Sequence, residues 1–521
     1  MKILVTGGTG VIGNGAVPAL LRAGHGVRLL TRHASRDVRG FPEGVEAFEA
    51  DLGNAEELMS AAEGCEVVVH IAGIVDETPP EVTYQNVNVD GTRRLLMAAE
   101  EAGVGRFVYM SSLGADRGES DYHRSKRAAE ELVQTFSREW LILRPGNVYG
   151  PGDETISMLL KMMRTLPAVP MVGNGEQRFQ PLWYADLGEA IAQAVDREIP
   201  DERILELAGT EVTTTTKVLD RLAEITECNP ARLEVPAWLA RVGADVMESF
   251  GAAGKRLLQR AGVAAPINTA KLGMLLEENV ISGGRENGLV TVFGISPTSL
   301  QDGLEMLADM LPEQLPGDGV GVVKFTSYET TIVGGTRSAT ELLDYVCKNI
   351  TEVMPIDFAA EPDAPTSAEE GETLTLELKG RGNVQVRMEE RTRHRATFVT
   401  IEGHPLAGVM QMQAEDVPGG VRFRVNTAAQ PANVFDWVAL RTVGETMQSV
   451  NWRTVVRRVA ELSSGEAPGG VKRLSHKLTD DEVRELRSWL EKLVQRRQRS
   501  RRSAEAAGEK VPETGRRVRA S

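Results

Sequence analysis

The stretch SDYHRSKRAAEEL places Tyr122 and Lys126 four residues apart at the start of a helix, and therefore on one face of it. A phenol of ordinary pKa about 10 is a poor acid or base at neutral pH. A neighbouring ammonium stabilises the phenolate and brings proton transfer into the working range. The serines of RFVYMSS add hydroxyls: Ser112, or alternatively Ser111, would hold a substrate oxygen during that transfer. Y-x-x-x-K alone is a common coincidence of helical sequence, so its meaning depends on the elements around it.

Those elements begin at the first residue. MKILVTGGTGVIG reads as a short buried strand, Lys2 to Thr6, that runs through Gly7, Gly8, Gly10 and Gly13 into a stretch of helical periodicity, Ala16 to Ala23. In that setting Gly7 allows a tight turn, Gly10 lets the backbone approach a pyrophosphate, and Gly13 lets helix pack closely on strand. The helix N-terminus then faces the phosphates with free N–H groups and partial positive charge. A second strand, Gly26 to Leu30, ends in Thr31 and Arg32, where a site selective for NAD would carry an acidic residue. Arg32, helped by Arg36, suits a 2′-phosphate, which favours NADP over NAD. The plain alternative is a solvated arginine at a strand end.

The period then repeats. GVEAFEADLGN, CEVVVHIAG and RFVYMSS read as strands ending at Asp51-Leu52, Ala72-Gly73 and Ser111-Ser112, each separated by a helical stretch. Strands alternating with helices imply an α/β fold, a doubly wound parallel sheet whose ligands collect at the carboxyl ends of the strands.

TGGTGVIG, ADL at 50–52, NVDGT at 88–92, MSS, YHRSK, LRPGNVYGPGD at 143–153 and GNGEQRFQPLWYADL ending at Asp186 together resemble the extended, epimerase-like form of the short-chain dehydrogenase/reductase superfamily. The resemblance covers roughly residues 1 to 210 and implies a Rossmann-type domain over 1–311, with a small substrate lobe mainly at 151–311. It implies Ser112, Tyr122 and Lys126 as catalytic residues. It places Gly7, Gly10, Val11, Ile12, Gly13, Arg32, Asp51, Leu52, Ala72, Gly73, Asn88, Tyr122, Lys126, Pro145, Asn147 and Val148 against NADP or NAD. Asp51 and Leu52 would lie near the adenine, Lys126 would contact the nicotinamide ribose, and Arg144 to Asn147 would border the substrate cleft. The activity implied is an oxidoreductase moving hydride between nicotinamide and a carbonyl or secondary alcohol. The alternatives are an epimerase or dehydratase acting on a sugar nucleotide, or a non-catalytic scaffold. LPAVPMVGNGEQRFQPLWYADLGEAI and FGISPTSLQDGLEMLADMLPEQLP are most similar to the branch containing the reductase-fold accessory subunit of respiratory complex I, which motivates the scaffold reading. Phe179, Gln180, Trp183 and Tyr184 are candidate pocket residues, though aromatic residues at such spacing more often pack a core. The amphipathic stretch Pro236 to Phe250 more readily packs on the lobe than on a membrane.

LPEQLPGDGVG concentrates Pro and Gly and predicts a linker at 312–321. Beyond it ETLTLELKG, VQVRMEERT, ATFVTIEG, GVMQMQAED and GVRFRVNTAA alternate as antiparallel strands, and NVFDWVALRTVGETMQSVNWRTVVRRVAEL has helical spacing. A sheet closed over one long helix resembles the helix-grip fold of START and polyketide-cyclase proteins, over about 322–465. The resemblance implies either an apolar-ligand cavity, with His404 and Trp452 as candidate lining, or a domain that only braces or dimerises the protein. The last segment, 466–521, is predicted as a basic tail with a helix near 479–498, N-capped by Thr479, running on into a disordered end.

Composition bounds the rest. Of 521 residues, 41% are hydrophobic and 26% charged, with a net charge of −15, so a nucleic-acid-binding body is disfavoured. From Val471 onward 15 Lys/Arg face 8 Asp/Glu, a net of +7 that leaves −22 on the remainder. That tail would fold back on the acidic body, or meet an acidic partner or an anionic membrane surface. Cys65, Cys228 and Cys347 form no metal-ligand pattern, and no stretch reads as a signal peptide or membrane span. The expectation is a cytoplasmic protein without bound metal, acting on a small-molecule substrate, with an apolar one among the alternatives.

Overall fold

The computed structural model describes residues 1–42, 44–166, 168–196, 201–236, 238, 277–281, 283–355, 365–378, 382–433, 436–437 and 445–507. The predicted amphipathic segment at 236–250 falls almost wholly outside these residues, as does the chain after 507.

The first part alternates β1 (Lys2–Thr6), α1 (Val11–Arg22), β2 (Gly26–Thr31), α2 (Ala34–Asp37), β3 (Val45–Glu49), α3 (Ala55–Ala62), β4 (Val67–His70), α4 (Asp90–Glu101), β5 (Arg106–Met110), α5 (Asp121–Val133) and β6 (Glu139–Pro145). With Arg203–Leu207 at one edge, the strands form a seven-stranded sheet in the order Arg203–Leu207, β6, β5, β4, β1, β2, β3. Every neighbouring pair is parallel. Sequences such as VVVH and RFVYM are buried throughout because helices cover both faces. Leu20, Leu29, Val69 and Ile191 fill one side and Leu58, Leu95, Phe107 and Ile142 the other. The strand order reverses between β1 and β4, which opens a crevice at their carboxyl ends.

A smaller lobe follows. The parallel pair Ala168–Val172 and Ala231–Val235 accompanies helices Ile156–Thr165, Thr215–Thr226 and Leu300–Ala308, which share a core with Trp183 and Tyr184.

The second sheet is antiparallel. Its order is Thr373–Leu378, Gly382–Arg391, Arg395–Ile401, Leu406–Val417, Gly420–Pro431, Lys324–Ile332 and Lys472–Lys477. Helices Ala339–Lys348, Ile350–Val353 and Glu445–Leu462 pack Leu342, Val346, Ile350, Val455 and Val459 against Met388, Phe398 and Phe423 of that sheet. The five strands read from the sequence are joined by three it did not reveal, Glu313–Gln314, Lys324–Ile332 and Lys472–Lys477.

Two expectations are corrected. Segment 312–321 is not a bare linker, because Glu313–Gln314 pairs with Thr400 and Ile401, Leu315 is buried, and Glu313 is ion-paired. The segment after 466 is not a loose tail either. Lys472–Lys477 pairs with Lys324–Glu329, and the final helix runs from Asp480 to Ala506, longer than 479–498. Thr479 caps it as expected: its hydroxyl accepts from Glu482 N at 3.3 Å while the Glu482 carboxylate accepts from Thr479 N at 2.8 Å. Leu490 and Leu493 of this C-terminal helix bury against Val399 and Val409. Its arginines meet body carboxylates, Arg487 with Asp318 at 2.6 Å and Arg497 with Glu389 at 2.9 Å. No helix among the described residues is long and apolar enough to cross a membrane.

Candidate active site

Three glycines shape the start of the crevice, for different reasons. Gly7 has φ +71°, and a Cβ there would stand 2.6 Å from Ala72 N. A Cβ at Gly13 would stand 2.3 Å from the Gly8 backbone, so helix and turn touch. Gly10 differs: a Cβ would meet only Gly7 O, at 3.5 Å. The protein itself gives no steric reason for glycine at position 10. The space a methyl would fill is a cradle at the helix N-terminus, where Gly10 makes no side-chain cap and the amides of Val11 and Ile12 begin α1. This is what a pyrophosphate requires, and the donor set fits a dinucleotide.

The crevice floor is tied together by a histidine that sequence reading passed over. Thr6 Oγ1 lies 2.7 Å from His70 Nδ1, His70 Nε2 lies 3.0 Å from Thr92 Oγ1, and Thr92 donates to Asn88 O at 2.6 Å. Burial, with Lys126 nearby, pushes His70 down to about 3, so the ring is neutral and joins β1, β4 and α4 as a structural bridge. Ala72 N donates to Thr6 Oγ1 at 3.2 Å. Asn88 accepts from Ile74 N at 2.8 Å and donates to Ser125 Oγ at 3.0 Å, which fixes the loop after β4 beside Gly73. Asp51 is exposed and accepts from Gly53 N at 2.7 Å, and the carbonyl of half-buried Leu52 accepts from Arg94 at 2.7 Å. Arg32 is exposed at the end of β2; the Arg36 side chain lies outside the described set.

The chemistry-bearing group sits at the end of β5. Ser120 caps α5, its hydroxyl accepting from His123 N, and this places Tyr122 and Lys126 in the first two turns. Tyr122 is buried and meets the edges of the Tyr84 and His123 rings at 6.2 and 5.3 Å. Burial pushes its phenol above the ordinary value, and a hydrogen bond with Ser112 pulls the other way. Lys126 Nζ donates to Met110 O at 2.9 Å and lies 3.4 Å from Tyr109 Oη. Burial pushes the ammonium down to about 8, against the Glu130 carboxylate. The expectation that Lys126 lowers the Tyr122 phenol is not met by this arrangement, because both groups are buried and the ammonium is directed to a backbone carbonyl.

The two serines have different partners. Ser111 Oγ donates to Glu130 Oε1 at 2.5 Å, and Glu130 also takes both arms of Arg144, at 2.8 and 2.6 Å. Arg144 is thus buried inside an ion-pair cluster with Glu130, Asp116 and Glu206. Ser112 remains beside Tyr122. Pro145 O accepts from Leu113 N at 2.8 Å, which brings Pro145, Asn147 and Val148 of the β6 exit next to the serines.

Two further polar groups face this region from late in the chain. Asn279 donates to Leu113 O at 3.1 Å while its Oδ1, like Asn147 Oδ1, is buried without a hydrogen-bond partner among the described residues. Glu277 lies 2.5 Å from His123 Nδ1 and accepts from Ser120 N at 2.8 Å. No motif marks either residue, which is why the sequence did not disclose them. Of the aromatic candidates, Trp183 and Tyr184 are core, and Gln180 donates to Gly209 O at 2.9 Å. No cluster of metal-ligating side chains occurs among the described residues.

A family model described as the NAD dependent epimerase/dehydratase family matches residues 3–208. The ceramide reductase of Caulobacter vibrioides is 36% identical over 178 residues, which are 33% of this chain and 54% of that protein. An uncharacterized sugar epimerase of Bacillus subtilis is 30% identical over 166 residues, 30% of this chain and 77% of its own length. The mitochondrial NADH-ubiquinone oxidoreductase 40 kDa subunit of Neurospora crassa is 26% identical over 219 residues, 41% of this chain and 57% of that protein. The chain spans about half the length of the first curated relatives it matches, 54% and 50%. The matched span of the family model holds the glycine turn, Ser112, Tyr122 and Lys126, and the chain belongs to the NAD dependent epimerase/dehydratase family.

Proposed function

We propose that the protein is an oxidoreductase that reduces a carbonyl at the expense of NADPH, or runs the reverse reaction. The observation that carries this is the Ser112–Tyr122 pair at the end of β5, with Lys126 one turn beyond, beside a crevice whose Gly10 cradle suits a pyrophosphate. A bound nicotinamide supplies or accepts the hydride. Ser112 holds the substrate oxygen. Tyr122, kept protonated at neutral pH by burial, donates its proton to that oxygen as the alcohol forms, and takes it back in the reverse direction. Lys126 anchors the nicotinamide ribose side. Thr31 and Arg32 at the end of β2, where the Asp37 carboxylate is engaged by the Thr31 hydroxyl, favour NADP over NAD.

The likeness to a ceramide reductase supports a substrate with an apolar body. Likeness to a sugar epimerase favours a second reading, transient oxidation within an epimerase cycle. Likeness to a complex I subunit favours a third, a nucleotide-holding scaffold. For the antiparallel domain we favour the helix-grip fold, supported by a strand order in which Lys324–Ile332 closes beside Gly420–Pro431 after two intervening helices. Phe398, Phe423, Met388 and Met412 fill its described core, which supports bracing rather than ligand storage.

The test is the Tyr122→Phe variant with a panel of aldehydes and ketones, followed at the reduced nicotinamide absorbance. Loss of turnover by about a hundredfold or more, with nucleotide affinity within about threefold, is expected. Unchanged turnover removes Tyr122 from the chemistry. Product formation without net absorbance change selects the epimerase, and tight nucleotide that no substrate oxidises selects the scaffold.

A further inference from the structure

Ser112 has one O–H to give, and in the proposed reaction two acceptors compete for it. One is the substrate oxygen. The other is the carbonyl of the next residue, because Ser112 Oγ donates to Leu113 O at 3.3 Å. That is long for O–H···O, where about 2.7–2.8 Å is usual, so the bond within the chain is weak. A serine locked onto its own backbone would not hold a substrate. What else the Leu113 carbonyl accepts therefore bears on the chemistry.

It accepts from Asn279, whose Nδ2 donates to Leu113 O at 3.1 Å. Leu113 N in turn donates to Pro145 O at 2.8 Å, so the residue after Ser112 is held at both its N–H and its carbonyl. A carbonyl that already accepts an amide N–H draws a second donor less strongly, which leaves the Ser112 proton able to turn to substrate. The Asn279 side chain is not needed to seat its own segment. The backbone does that, Asn279 N donating to Arg178 O at 3.1 Å and Asn279 O accepting from Gln180 N at 2.8 Å. Two residues earlier, Glu277 fastens the segment to the start of α5: it accepts from Glu119 N at 3.0 Å and Ser120 N at 2.8 Å, and lies 2.5 Å from His123 Nδ1. Gly118 makes room for this contact, since a Cβ there would stand 2.4 Å from His123 Nδ1 and 2.8 Å from Glu277 Oε2. Asn279 thus reaches the neighbour of Ser112 from a segment anchored on the neighbour of Tyr122.

We propose that Asn279 is a positioning residue of the reaction: by holding the Leu113 carbonyl it keeps the Ser112 hydroxyl available to the substrate oxygen. It lies beyond the family-matched span of 3–208, so the segment around it completes a site whose other parts fall within that span. The proposal rests on the oxidoreductase reading of Ser112 and Tyr122.

The experiment is steady-state reduction of the aldehyde and ketone panel with NADPH by the full chain and its Asn279→Ala and Asn279→Asp variants, with Asn279→Ala repeated in a Ser112→Ala background. Asn279→Asp keeps the size of the side chain but has no N–H to give. We expect kcat to fall about tenfold or more in both single variants, with KM and NADPH affinity within about threefold. In the Ser112→Ala background the further loss should be under about twofold, because Asn279 acts through that hydroxyl. Unchanged kcat, or a raised KM with kcat intact, overturns the proposal. So does a loss in Asn279→Ala alone, which would mark packing, or the full loss recurring without Ser112, which would mark action elsewhere. A parent chain that oxidises NADPH with no member of the panel overturns the oxidoreductase reading, and the proposal falls with it; any contrary result in a parent that turns over removes Asn279 alone.

Discussion

Gly10 and Gly13 lie three residues apart, and the structure separates what they do. At Gly13 an added methyl carbon would sit 2.3 Å from the Gly8 Cα, carbonyl carbon and oxygen, all backbone atoms that cannot rotate away. Overpacking of this kind costs about 3 kcal/mol, because turn and helix must move apart. For a domain of this size that is a fall of roughly 6–12 °C in melting temperature. At Gly10 the nearest atom is 3.5 Å away, and φ is −85°, which alanine adopts freely. Only the weaker helix-capping tendency of alanine is lost, under about 1 kcal/mol. Gly10→Ala should therefore melt within about 3 °C of the parent. Its methyl, however, occupies the cradle and holds the α1 amides back from an anion. Losing one charge-assisted hydrogen bond of about 1.5–3 kcal/mol weakens nucleotide binding roughly 10- to 150-fold. Calorimetric melting and nucleotide titration of both variants check this. If Gly10→Ala binds as the parent does, or unfolds as early as Gly13→Ala, the assignment of the cradle is wrong.

Two other outcomes concern pH. Burial pushes the Glu389 carboxyl up to about 7, with Arg497 opposing, and its Oε1 has no hydrogen-bond partner among the described residues. An acid with a raised folded pKa binds more protons folded than unfolded, so stability falls between about pH 4.5 and 7 and is flat above. The fall is of order 1–3 kcal/mol; Glu389→Gln should flatten it in melts taken from pH 5 to 8, and an unaltered slope would exclude Glu389 as the cause. Lys126, pushed down to about 8, is charged below that pH and neutral above it. The kcat/KM of the free enzyme should decline as pH rises through about 8, and Lys126→Arg, always charged, should lack that limb; the same limb in the variant assigns it to another group.

The parallel sheet and its crevice are legible in the sequence because their signals are local: an apolar run, a glycine turn, a helical period, repeated. The same holds for Ser112, Tyr122 and Lys126, which lie within 15 positions of one another. What escaped reading depends on distant partners. Glu130 and Arg144 sit in ordinary helical and strand contexts, and only folding makes them a buried pair with Ser111. Lys472–Lys477 is exposed at every position, so it carries no alternation of apolar and polar residues to betray a strand. Its place in the sheet comes from backbone pairing with Lys324–Glu329, with the Ser475 hydroxyl 2.9 Å from that of Thr326 and the His476 ring 5.1 Å from that of Phe325.

The basic C-terminal segment shows most plainly why charge cannot be read without partners. Arg497 faces Glu313 and Glu389, while Arg387 shares Glu313, giving two cations and two carboxylates buried together from three separate parts of the chain. Replacing such a cluster with apolar residues is often neutral, whereas removing one member leaves an uncompensated buried charge that costs about 3–5 kcal/mol. Its effect is therefore less to add stability than to penalise every other seating of the helix: slide it by one turn, and Arg497 leaves both acids. That fixes register at one point, and an α-helix is stiff enough to carry it onward. Arg502 lies five residues further, an axial rise of about 7.5 Å, and so arrives at Asn14 and Gly40 only when Arg497 is home. The antiparallel domain, through Glu313, Arg387 and Glu389, thereby sets the position of a cation on the nucleotide-binding domain, and this couples two bodies that the sequence alone presents as neighbours on a string.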